Sequence, residues 1–260
     1  MRLLALDTSG KAVSVAVAED GRICARFWIE HGRTHAEALM PCVEATLTGL
    51  GAEAGDFDAY AAVTGPGSFT GLRIGVAAVK AMAYASGVGT VGVSTLETLA
   101  WNLRFREGAL LCPIMDARNR KVYAAVYRAA RGGSFCAEAA PAGGSGVVDG
   151  GGDEPVCLVG AEAVGVDELA ERLRALLAEN PELSGVLFNG DAARAYLEFF
   201  RGARAGLSCA CADERDLLQD ASSAAQIACR RAARGELTPP ALLVPEYLHP
   251  GYAARAPGAL

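Results

Sequence analysis

The sequence predicts an α/β protein built from two successive lobes, each a mixed sheet flanked by helices. Three observations carry that expectation. Each half of the chain opens on strands joined by turns too short for a crossover helix. Each half then passes into helical stretches. A doubly wound nucleotide-binding sheet needs its first crossover helix straight after strand one, and here a tight turn stands in that place.

In chain order, residues 2–7, 12–18 and 22–29 read as three strands of an antiparallel meander, with turns at Ser9-Gly10-Lys11 and Glu19-Asp20-Gly21. A helix follows over 34–50. Thr34 with Glu37 three residues on is a capping box, and Gly51 ends the helix. A strand at 58–64 leads into the loop Gly65-Pro66-Gly67-Ser68-Phe69-Thr70-Gly71 and an apolar helix from about Thr70 to Ala85; a short strand at 89–93 and a helix near 95–104 close the half.

The second half begins at Leu110 with strands LLCPIMD (110–116) and KVYAAVY (121–127), then strand-like runs at 156–160, 185–189 and 204–209 and helices at 167–179 and 191–201. The first lobe is expected over 1–104, joined by a late helix at 217–234. The second is expected over 105–216, with a mobile Gly-rich excursion at 132–154, and 235–260 reads as an extended tail.

The 260 residues are 52% hydrophobic and 21% charged, a globular composition. A formal net charge of −6 argues against a free-standing nucleic-acid binder, which needs clustered Lys and Arg, so RNA contact is expected only alongside a partner. Asp7 interrupts the first apolar run before a signal-peptide core forms, and no transmembrane segment is expected. The eight cysteines form no CxxC pair, which fits a reduced, cytoplasmic protein.

Two segments have the residue types for anion chemistry. In Asp7-Thr8-Ser9-Gly10 a strand ends in a polar turn whose amides and hydroxyls suit a phosphate and whose carboxylate suits its metal; a plain hairpin turn explains the same residues. The loop carrying Gly65, Gly67, Ser68, Thr70 and Gly71 offers free amides at a helix N-terminus, with Arg73 one turn on. It is neither a Walker loop nor a GxGxxG fingerprint, and Gly71 and Gly75 equally suit close helix packing. His31 and His35 have HxxxH spacing, but with Thr34 as the cap His31 lies outside the helix and no glutamate of the HExxH type follows it.

The LALDTS opening, THAEALMP, AAVTGPGSFTGLRIG, VGVSTLETLA and PIMDARNRKVYAAVY together resemble the TsaB (YeaZ) family, strongly over the first half and more loosely through FNGDAARAYLE and PEYLHP. The resemblance implies the actin, hexokinase and Hsp70 superfamily (ASKHA) fold. It also implies a non-catalytic subunit of the bacterial complex that forms N6-threonylcarbamoyladenosine at position 37 of tRNAs reading ANN codons. There TsaD performs the transfer, TsaE supplies an ATPase, and tRNA is met through the complex.

By the same resemblance, the metal-holding HxxxH of TsaD aligns with Thr95 and Leu99, neither of which can ligate a metal as imidazole does. No catalytic or metal-ligating residue is therefore expected, and no cofactor is required, although weak or interface-shared ATP or ADP is compatible. The helices 34–50 and 70–85 become the surface for TsaD or for a second copy of the chain, through His35, Leu39, Val43, Leu47, Gly71, Leu72, Gly75, Ala78 and Met82. A small-molecule kinase or ATPase of the same superfamily is the alternative function; an M22-type metallopeptidase would rest only on His31 and His35.

Overall fold

A computed structural model describes residues 1–30, 32, 34–129 and 154–248. Strands β1 (Arg2–Asp7), β2 (Val13–Glu19) and β3 (Arg22–Ile29) form an antiparallel meander, followed by α1 (His35–Leu50), β4 (Ala59–Gly65), α2 (Phe69–Ser86), β5 (Gly89–Ser94) and α3 (Thr95–Asn102). The first sheet has the order β3-β2-β1-β4-β5, with β4 and β5 parallel to β1.

The second sheet repeats this plan. After β6 (Leu110–Asp116), β7 (Lys121–Arg128) and β8 (Val156–Gly165) come α4 (Val166–Glu179), β9 (Val186–Asn189), α5 (Ala193–Arg201) and β10 (Cys209–Cys211). Its order is β8-β7-β6-β9-β10, with β6–β7 and β7–β8 antiparallel and β9 and β10 parallel to β6. One meander plus two parallel strands, written twice, is the duplicated lobe that the resemblance to the actin, hexokinase and Hsp70 fold implies.

β1 is apolar at consecutive positions because both of its faces are covered. Leu3 and Ala5 pack toward α7 (Ala221–Ala233), which returns to the first sheet, while Leu4 and Leu6 pack toward α1 and α2. In the second sheet Leu110, Cys112 and Ile114 share a core with α4 and α5, where Phe188 and Phe200 stack at 4.5 Å; Leu111 and Met115 face α3.

The strand expected at 156–160 runs on to Gly165, and two further expected elements differ. The strand expected at 204–209 is only Cys209–Cys211, because Gly202 to Gly206 turn back under α5 and Gly206 takes a φ of 60°. The late helix expected at 217–234 starts at Ala221, after a separate short helix α6 (Glu214–Leu217). Asp220 interrupts it by taking extended backbone and capping the amide of Ser222 at 2.8 Å. The excursion expected at 132–154 lies, apart from Glu154, outside the described residues, as do tail residues 249–260.

Candidate functional site

At the end of β1, Asp7 is 1% exposed. Its Oδ1 accepts from the amide of Ser9 at 2.9 Å and the Ser9 hydroxyl at 2.7 Å, while Oδ2 is buried with no hydrogen-bond partner among the described residues. Burial pushes the carboxyl up to about 6, against the lowering effect of the two Ser9 bonds.

The glycine loop lies directly on this turn. Ser68 caps α2, its Oγ accepting from the Gly71 amide at 3.2 Å, and the Ser68 amide donates to the Ser9 carbonyl at 2.7 Å. Thr8 Oγ1 donates to the Gly71 carbonyl at 2.7 Å. A Cβ on Gly71 would stand 2.1 Å from the Thr8 carbonyl oxygen, and one on Gly67 2.2 Å from that of Ser9. Gly75 faces Thr8 Oγ1 in the same way, at 2.3 Å. The structure therefore brings Asp7, Thr8, Ser9, Gly67, Ser68, Gly71 and Gly75 together, with the amides of Ser68 and Gly71 bonded to the chain itself.

The turn is closed further by Gln219 and by α1: a Cβ on Gly10 would stand 2.1 Å from Gln219 Nε2, and His35 Nε2 lies 2.9 Å from the Gly10 carbonyl. His35 is thus a tie between α1 and the turn; His31 and His249 lie outside the described residues. Thr70 is exposed and joins none of these contacts.

Arg73, the one cation of the first turns of α2, points to the tail. Its guanidinium lies 3.9 Å from the Phe69 ring centroid and its Nε donates to Tyr247 Oη at 3.1 Å. The tail is fixed further by the Glu246 amide donating to Thr64 O at 2.8 Å, by Lys80 Nζ donating to Ala241 O at 3.1 Å, and by buried Leu243. At Gly65, with φ 131°, a Cβ would stand 2.5 Å from the Glu246 carbonyl oxygen, so glycine there admits the tail.

On α1 and α2, several residues expected to meet a partner point inward: Leu39, Val43, Gly71, Leu72 and Gly75 are buried in the first lobe, while His35, Leu47, Ala78 and Met82 are half-buried. Hydrophobicity marks the side of a helix that seeks cover, and here the first sheet covers the apolar stripe of both helices. The outward stripe is made of Met40, Pro41 and Ala45 on α1 and Arg73, Ala77, Ala81, Tyr84 and Ala85 on α2, with Tyr84 84% exposed.

Thr95 and Leu99 are fully buried, Leu99 within the α3 core, and its carbonyl accepts from Asn189 Nδ2 at 2.8 Å. Next to them Glu97 takes both its oxygens to Arg231, at 2.7 and 2.8 Å, tying α3 to α7. Among the described residues, no group of three or more His, Cys, Asp or Glu side chains is placed to hold a metal ion, and no helix is long and apolar enough to cross a membrane.

The family model described as "TsaD: tRNA N6-adenosine threonylcarbamoyltransferase" matches residues 30–139. The tRNA threonylcarbamoyladenosine biosynthesis protein TsaB of Escherichia coli is 40% identical over 49% of this chain and 55% of its own length. TsaB of Bacillus subtilis is 35% identical over 49% and 56%. The matched segment thus spans about half the length of these curated relatives. The structure of YeaZ from Pseudomonas aeruginosa superposes with a TM-score of 0.72 at 26% identity, over 95% of this chain and 99% of that one. With the duplicated sheet, the loop packed on the Asp7 turn and these likenesses together, the chain is similar to the proteins of the TsaB (YeaZ) family.

Proposed function

We propose that the chain is a non-catalytic subunit of a tRNA threonylcarbamoyladenosine-forming complex, in which it pairs with a TsaD-type transferase, works alongside a TsaE-type ATPase and meets tRNA only within the assembly. The observation that carries this reading is the outward stripe of α1 and α2. Its small side chains allow close helix-on-helix approach, and Met40 and Tyr84, 51% and 84% exposed, supply area to bury. A second copy of the chain can use the same stripe when no transferase is present.

The turn that would serve a kinase or ATPase is packed against the chain's own glycine loop and Gln219, which favours the subunit reading over the ATPase one. In this reading the chain itself needs no cofactor. Reconstituting tRNA modification from the transferase and ATPase, with and without this chain, tests it. Modification is expected to require the chain; undiminished transfer in its absence would refute the proposal.

A further inference from the structure

A cavity of about 570 Å³ opens where β3, the connection from α3 to β6 and the corner between α6 and α7 meet. Its lining holds four arginines, at 26, 104, 106 and 215, and three aspartates, at 213, 216 and 220, in a chain of net −6.

The carboxylates are largely committed. Arg26 Nε lies 3.0 Å from Asp220, and Arg106 reaches Asp216 at 3.2 Å and Asp213 at 3.6 Å. Arg215 makes no ion pair or hydrogen bond among the described residues. At the rim Phe105 is 63% exposed, with the Arg104 guanidinium 4.3 Å from its ring centroid. An aromatic face beside guanidinium groups is what an unstacked base and its phosphate require.

The charge balance selects among nucleotide ligands. The first amides of α7 are already bonded, Ala221 to Ser14 Oγ at 3.0 Å and Ser222 to Asp220 at 2.8 Å, so they are not offered to a phosphate tail. A triphosphate would also bring several negative charges onto the three aspartates. A phosphodiester brings one, which Arg215 can take. On the reading of the chain as a tRNA-modification subunit, we propose that this cavity takes one unpaired RNA nucleotide, its base on Phe105 and its phosphodiester on Arg215.

The test is photocross-linking of a 4-thiouridine-containing tRNA transcript to the reconstituted complex, with cross-linked peptides mapped by mass spectrometry, alongside RNA titrations at several salt concentrations. Cross-links are expected at the segment holding Phe105. Phe105→Ala should weaken RNA binding by about 10-fold, with Phe105→Tyr restoring it. Arg215→Gln should lower the salt dependence by about one counterion.

Wild-type affinity in both Phe105→Ala and Arg215→Gln, or ATP that binds here and displaces the RNA, would overturn the proposal. Both side chains line an open cavity, and the Tyr variant guards against a folding defect. Modification that still needs the chain but ignores both substitutions would remove this inference and leave the subunit reading standing.

Discussion

The two lobes present the same hairpin, from their first strand to their second, in opposite environments. After β1, Asp7 Oδ1 accepts from the amide of Ser9 at 2.9 Å; after β6, Asp116 Oδ1 accepts from the amide of Arg118 at 2.8 Å. Both are Asx turns. Each is followed, at the end of the lobe's fourth strand in chain order, by a glycine at positive φ, Gly65 at 131° and Gly190 at 95°.

The backbone device is thus common to both lobes and the surroundings are not. Asp7, Thr8 and Ser9 are buried under the glycine loop, whereas Asp116 and Arg118 to Lys121 stand exposed, with Arg118, Asn119 and Arg120 at φ of 63°, 53° and 57°. One hairpin plan thus serves as an open turn in the second lobe and, with a loop closed over it, as an internal joint in the first.

The largest expected effect falls on that joint. Gly71→Ala places a methyl group 2.1 Å from the backbone oxygen of Thr8, which cannot swing away, so a loss of about 3 kcal/mol is expected in denaturant unfolding. The contrasting change on the open turn, Arg118→Gly, relieves a left-handed residue at the cost of unfolded-state entropy and should stay within about 1 kcal/mol of wild type. Equal costs at the two sites would break the comparison.

Asp7→Asn comes next and has a pH signature. The folded carboxyl is raised from an ordinary value of 3.8 to about 6, so the folded state holds the proton more tightly than the unfolded one. That contribution is complete below about pH 4 and is lost as pH rises through 6. Relative to Asp7→Asn, wild type should therefore lose on the order of 2–3 kcal/mol between pH 4 and 7. A difference independent of pH would show that the joint does not desolvate Asp7.

The smallest effect concerns the clasp over the joint. Arg73→Ala removes an exposed ring contact and a hydrogen bond to Tyr247, and should cost less than about 1 kcal/mol of global stability. Hydrogen exchange at the Glu246 amide, which donates to Thr64, should nonetheless quicken. Unchanged exchange would mean that Arg73 does not hold the tail.

Local signals made much of this fold legible. The meander, the capping box at Thr34 and Glu37, and the strand-loop-helix around Gly65 to Gly71 all follow from neighbours within a few residues. Where an apolar run continued through a corner, the reading failed: Leu217-Leu218-Gln219 masked the cap at Asp220, and Ala205-Gly206-Leu207 passed for strand despite a glycine suited to positive φ.

The candidate site was half legible. The residues of the turn and loop stand out in the sequence, but not that each fills the other, nor that Gln219 and Tyr247, far along the chain, would close them in. The outward stripe was hidden for a different reason. Ala77, Ala81 and Ala85 have little hydrophobic weight, so the inward Leu39, Val43 and Leu72 dominated the pattern.

The proposed function assigns docking to the outward face of α1 and α2 and leaves the Asp7 turn a structural joint. The most direct measurement is tRNA modification in the reconstituted system with Ala81→Arg and with Asp7→Asn, each confirmed folded. Ala81→Arg should abolish modification by blocking docking, while Asp7→Asn should retain it. Activity that survives Ala81→Arg and is lost in Asp7→Asn would contradict that assignment.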